Sequence, residues 1–134
     1  MKILIIDDEM PVLTKMKVLL SPYGKCTLAS TAQQAIQLCT AALKENQPFE
    51  LITIDIHLKE ISGLDLLAAI NQLENETALP SAKKLVVTAA GTKNNIIRAM
   101  IKGCDGFLVK PVKRDTLEQK LTDLGFAKPA EPPA

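Results

Sequence analysis

A chain of 134 residues has room for one domain with a sizeable core and too little for two. Its 47% apolar and 23% charged residues are ordinary for a globular protein, and no run approaches the roughly 18 apolar residues of a membrane span. Sixteen Lys and Arg against fifteen Asp and Glu leave a net charge of +1, which gives no electrostatic footprint for nucleic acid or an anionic membrane.

In chain order, Ile3-Leu4-Ile5-Ile6 comes first, and its apolar run stops at Asp7-Asp8-Glu9, too early for a secretory h-region. It reads instead as a strand, β-branched-rich and continuous rather than alternating, as a strand buried on both faces should be. Val12, Leu13, Met16, Leu19 and Leu20 recur at helical period and predict a first helix, stopped by Pro22 and Gly24. Cys26-Thr27-Leu28-Ala29 is a weaker strand, which suggests a sheet edge. Ala32, Ala35, Ile36, Cys39 and Leu43 predict the second helix, ending before Pro48, and Leu51-Ile52-Thr53-Ile54 the third strand. Ser62 with Asp65 looks like an N-cap pair opening a helix on Leu66, Leu67, Ile70 and Leu73, which ends before Pro80. Leu85-Val86-Val87 is the fourth strand, and Ile96, Ile97, Met100 and Ile101 mark a helix closed by Gly103. Phe107-Leu108-Val109 is the fifth strand; Leu117, Leu121 and Leu124 mark a last helix closed by Gly125. The domain is expected over residues 1–126, and the Ala/Pro-rich residues 127–134 read as a tail or linker stub.

Strands alternating with helices in this way imply an α/β fold, a doubly wound (βα)5 parallel sheet with right-handed crossovers, covered on both faces. The flavodoxin-like strand order 2-1-3-4-5 is expected, with the working site outside the carboxyl ends of the strands where the order reverses. The cysteines Cys26, Cys39 and Cys104 are odd in number and form no C-x-x-C pattern, so they read as reduced core residues. A soluble, cytoplasmic protein is expected.

Asp7-Asp8, Asp55, Thr88 and Lys110-Pro111 stand at the carboxyl ends of the first, third, fourth and fifth strands. Singly, each has a plain explanation. The first two aspartates could cap a helix, Asp55 could be a turn residue, Thr88 a strand residue and Lys110 a surface charge. The topology, however, brings them to one rim. Carboxylates about 4 Å apart repel by on the order of 4 kcal/mol per pair at an effective dielectric near 20, so the cluster calls for protonation or a cation. A hard, oxygen-preferring dication answers this, and Mg2+ suits a site of one or two direct carboxylates plus waters; Mn2+ is the substitute. His57 is the one histidine, so no zinc set exists. A hydrated Mg2+ beside a carboxylate and a lysine is equipment for phosphoryl transfer, with the carboxylate itself as nucleophile.

These residues in this order resemble the receiver domains of bacterial two-component response regulators, including the single-domain chemotaxis receiver. The likeness spans roughly residues 2 to 124 and rests on Ile5-Ile6-Asp7-Asp8, Ile54-Asp55 with Gly63, Val87-Thr88-Ala89, and Gly106-Phe107-Leu108-Val109-Lys110-Pro111. The resemblance implies Asp55 as phosphoacceptor for a histidine kinase or phosphotransfer protein. It implies Mg2+ held by Asp8, Asp55 and the backbone carbonyl of His57, with Asp7 acting through water. Lys110 would contact the phosphoryl oxygens, and Lys110-Pro111 would be a cis peptide. Thr88 would swing its hydroxyl onto the phosphoryl group, for which a small Ala89 leaves room. Phe107 would follow inward, carrying the change to a face built from the fourth helix, fifth strand and fifth helix. Three features depart from the family pattern: Phe107 stands where many members have Tyr, Lys59 replaces a usual proline, and His57 and Ala90 occupy variable positions beside the phosphoryl group.

On this basis the chain is expected to be a phosphorylation switch rather than an enzyme with an external substrate, acting on a downstream protein or a tethered output domain. No direct nucleic-acid or membrane contact is expected, and the state is a monomer or a phosphorylation-dependent dimer. Two alternatives stand beside it. A pseudo-receiver would bind partners without phosphate but should have lost one of the acidic pair, the acceptor or the lysine. A haloacid-dehalogenase-type phosphatase would want an aspartate where His57 stands. The apolar Ile96, Ile97, Met100 and Ile101 exceed one buried face, which is either a partner surface or ordinary scattered surface residues.

Overall fold

A computed structural model describes residues 1–127; of the expected tail, everything from Lys128 on lies outside the described residues. The elements alternate as β1 (Lys2–Ile6), α1 (Met10–Leu20), β2 (Lys25–Ala29), α2 (Ala32–Lys44), β3 (Leu51–Ile54), α3 (Gly63–Asn75), β4 (Lys83–Thr88), α4 (Lys93–Ile101), β5 (Gly106–Val109) and α5 (Arg114–Asp123). All strand pairs are parallel, in the order β2-β1-β3-β4-β5. The weak strand is therefore an edge, as its composition suggested.

Successive side chains of a strand point to opposite faces, and here both faces are covered. Ile3 and Ile5 pack with Leu13, Met16 and Leu20 of α1 and Leu117 and Leu121 of α5. Leu4 and Ile6 face the other way, into a cluster with Ala35 and Cys39 of α2, Leu66, Leu67 and Ile70 of α3, and Ala99 of α4. That double burial is why these strands read as unbroken apolar runs. The cysteines are free; burial, with a smaller push from the charge of Glu74, raises the Cys39 thiol to about 12, which leaves it a packing residue.

Burial and capping refine the sequence reading. Leu73 is only half-buried, and the buried position at that end of α3 belongs to Glu74, which pairs with the equally buried Lys84 of β4. Neither Asp7 nor Asp8 caps α1, whose N-cap is Glu9, without a side-chain cap bond. By contrast Ser62 does open α3, its hydroxyl accepting from the Leu64 amide, with Asp65 in the first turn.

Candidate functional site

Register explains the convergence. Ile6 pairs with Ile54 and Thr88 with Val109, so the next residues, Asp7, Asp55 and Lys110, leave the sheet side by side at the rim where the strand order reverses. The backbone continues the pattern one step past the strands: Asp55 N donates to Ile6 O at 3.2 Å, and Lys110 N to Thr88 O at 2.9 Å.

Lys110 Nζ reaches between two carboxylates, donating to Asp7 Oδ2 at 2.6 Å and Asp55 Oδ2 at 3.1 Å. The other oxygens are also engaged. Asp7 Oδ1 accepts from the Glu9 amide at 2.9 Å, and Asp55 Oδ1 from the His57 amide at 3.2 Å. Asp8 is half-buried beside them, and a carboxylate oxygen from each of Asp7, Asp8 and Asp55 lies within 4.8 Å of the others. That spacing, with oxygen donors only, fits a small hard dication and fits zinc or a soft metal poorly.

The charges in this corner are unevenly relieved. Burial raises the Asp7 carboxyl above its usual range, the hydrogen bonds from Lys110 and Glu9 offset part of that, and the Asp55 charge adds to the rise. At Lys110 burial works against the ammonium, but Asp7 and Asp55 outweigh it, and its net shift is upward. An acid whose folded pKa is raised contributes stability below its unfolded pKa and loses it as pH rises through the folded one. Lys110 remains charged throughout that acidic window; its contribution is lost only at alkaline pH. In metal-free buffer wild type should therefore lose stability relative to Asp7→Asn as pH climbs upward from the ordinary carboxylate value of about 4. Melting curves of both proteins in chelator across that window test this, and a constant gap between them would contradict it.

The remaining residues ring the acidic corner. Thr88 is fully buried and its hydroxyl accepts from the Ala90 amide at 3.3 Å, while Ala89 is exposed. The Lys110-Pro111 peptide is cis. Phe107, half-buried, packs against the cluster that includes Val86 and Ala99, on the α4 side of the sheet. His57 and Lys59 are exposed on the loop after β3, where His57 forms an isolated bridge with Ser62. On and beside α4, Ile97, Met100, Ile101 and Val109 are exposed, Met100 to 65% and Ile101 to 76%. One contact near the site was not anticipated: Asn95 Nδ2 donates to Ala90 O at 3.0 Å. The Thr92-x-x-Asn95 spacing, with the Thr92 hydroxyl accepting from the Asn95 amide, was the available signal.

The family model of the response regulator receiver domain matches residues 3–122. The chain belongs to the response regulator receiver family. Chemotaxis protein CheY of Listeria monocytogenes is 30% identical over 123 residues, covering 90% of this chain and 95% of that protein. The alginate biosynthesis transcriptional regulatory protein AlgB of Pseudomonas aeruginosa is 33% identical over 117 residues, covering 87% of this chain. The chain spans about a quarter (24%) of AlgB's length. A CheY-like receiver domain from Methanospirillum hungatei superposes with a TM-score of 0.75 at 28% identity, covering 92% of this chain and 91% of that one. This is thus a CheY-like receiver of two-component systems, a family for which phosphorylation and Mg2+ binding at an acidic cluster are shared traits. Among the described residues of this receiver, no helix is long and apolar enough to cross a membrane.

Proposed function

We propose that this receiver takes a phosphoryl group onto Asp55 from a histidine kinase or phosphotransfer protein, and that the product alters protein binding through the face of α4, β5 and α5. The observation that carries this is the Lys110 ammonium held between Asp7 and Asp55, with Asp8 alongside. A carboxylate nucleophile needs its own charge balanced while it approaches an anionic phosphoryl group. A lysine within hydrogen-bond reach of the attacking carboxylate supplies that balance and then pairs with the transferred oxygens.

Asp8, Asp55 and the His57 backbone carbonyl would hold Mg2+, or Mn2+ in its place, with Asp7 acting through water. Bound there, the ion neutralises charge on the phosphoryl oxygens in flight. Asp55 attacks the phosphorus of the donor phosphohistidine; the O–P bond forms as the P–N bond breaks, and the imidazole leaves. The buried Thr88 hydroxyl then turns toward the new group, Ala89 leaves space for it, and Phe107 follows. Residues 1–126 form the switching unit, working in the cytoplasm on a downstream protein or on an output domain attached beyond residue 126.

The test is intact mass after incubation with acetyl phosphate, with and without Mg2+, for wild type and Asp55→Asn. A Mg2+-dependent gain of one phosphoryl group in wild type alone is expected, with beryllofluoride shifting NMR signals at Phe107 and along α4. A wild type that binds Mg2+ yet gains no mass and ignores beryllofluoride would be an interaction module instead.

A further inference from the structure

Thr88 does not stand alone at the end of β4. Its hydroxyl accepts from the Ala90 amide at 3.3 Å, and the Ala90 carbonyl in turn accepts from the Asn95 side-chain amide at 3.0 Å. Asn95 lies in the first turn of α4, its own amide bonded at 3.2 Å to the hydroxyl of Thr92, the residue that caps the helix. A continuous run of hydrogen bonds therefore joins the proposed switch hydroxyl to the start of α4. A side chain at the third helical position usually turns back to the cap residue's own amide. Here it reaches past Thr92 to the loop, so its bond serves the position of Ala90 rather than the helix end.

We infer that Asn95 is a positioning residue, a latch that holds the loop between β4 and α4 in the form in which the Thr88 hydroxyl is bonded to the Ala90 amide. This deepens the proposed switch and rests on it. Moving Thr88 toward a phosphoryl group carries Ala90 with it, because only Ala89 lies between them. The Ala90 carbonyl must then leave Asn95, or drag the first turn of α4 after it. In either case the bond resists the inward form and lowers its population before phosphate arrives. A ligand that needs a minor conformer binds or reacts in proportion to that conformer's share. Releasing the latch should raise the share by the factor that one neutral hydrogen bond represents, about 2- to 10-fold.

Two variants make the test. Asn95→Ala removes the donor. Asn95→Asp keeps the size, removes the donor, and places an anion where a helix N-terminus favours one, so the fold is protected. The readouts are the acetyl phosphate reaction rate by intact mass, Mg2+ affinity by calorimetry, and amide hydrogen exchange of residues 88–92. Both variants should gain phosphoryl groups about 2- to 10-fold faster than wild type, with Mg2+ affinity unchanged and loop exchange faster. Unchanged rates, in a wild type that does take up a phosphoryl group, would overturn the latch. So would faster rates accompanied by an equal change in Mg2+ affinity, since that marks a distorted acidic corner. If wild type takes up no phosphoryl group, the Asp55 reading is what fails. The latch then stands if loop exchange quickens in Asn95→Asp and falls if exchange is equal.

Discussion

Glu74→Ala should lower the stability of this receiver by about 3–5 kcal/mol, a large part of the 5–15 kcal/mol typical of a whole domain. The Lys84 ammonium and the Glu74 carboxylate form a salt bridge under the α2, α3 and α4 layer, with Lys84 1% and Glu74 6% exposed. The second Glu74 oxygen accepts from the Ala82 amide at 2.8 Å, so one carboxylate satisfies both an ammonium and a backbone donor. Truncation leaves the ammonium in the core with its partner gone and orphans the Ala82 amide as well. For a domain of this size a loss of that order lowers the melting temperature by roughly 10–20 °C. The double variant Lys84→Met/Glu74→Gln separates the causes. It removes both charges while the substituted amide side chain still offers an oxygen to Ala82, and buried pairs replaced by neutral groups of similar size are often tolerated. It should recover most of the loss. If the double variant is as unstable as Glu74→Ala, or Glu74→Ala loses less than about 1 kcal/mol, the pair is not what holds this end of the core.

That pair also marks where sequence reading stopped. The strands were legible because residues 3–6, 51–54 and 85–87 form continuous runs, apolar at every position but Thr53, which only a doubly covered sheet requires. Alternation with helices implied a parallel doubly wound sheet, and the flavodoxin-like order expected for it placed Asp7, Asp8, Asp55, Thr88 and Lys110 at one rim. Hydrophobic periodicity, however, treats every charge as solvent-facing. It therefore began β4 at Leu85 rather than at Lys83, and it gave the buried end of α3 to Leu73. Lys84 lies two residues before Val86 and so faces the same way, into the core; what admits it is Glu74, on an element ten residues earlier. No local pattern carries that pairing. The Asn95 bond escaped for a related reason, since it joins a side chain in the first turn of α4 to a loop carbonyl five residues earlier, and hydrophobic periodicity marks neither group. Asp7 and Asp8 show the opposite case. Capping was the plainer local explanation, and it gave way to the rim because β1 ends in register with β3 and the chain turns into α1 only at Glu9.

Gly63→Ala should be the most damaging single methyl group in the molecule, cutting the proposed phosphorylation of Asp55 by on the order of 100-fold. Gly63 is the first residue of α3, and its amide donates to Ile56 O at 2.7 Å. A Cβ there would lie 1.8 Å from the Asp55 carbonyl oxygen, 2.7 Å from its carbon and 2.9 Å from Ile56 Cα. All of these are backbone atoms, so no side-chain rotation relieves the clash. Either the start of α3 or the peptide leaving Asp55 must move, and displacement of a nucleophile by about 1 Å is enough to remove two orders of magnitude in rate. Overpacking of this kind also costs about 1–3 kcal/mol of stability, against which the better helix propensity of alanine returns less than about 1. Gly91→Ala is the comparison. Its Cβ would meet Val109 side-chain atoms, the nearest at 2.3 Å, so a half-exposed side chain on the edge strand β5, rather than the backbone at Asp55, has to give way. Gly91→Ala should therefore cost less than Gly63→Ala in both stability and acetyl phosphate rate. A Gly63→Ala protein that folds and is phosphorylated at the wild-type rate would mean that the loop after Asp55 yields without moving the carboxylate. The close packing of α3 on that peptide would then have no part in aiming the acceptor.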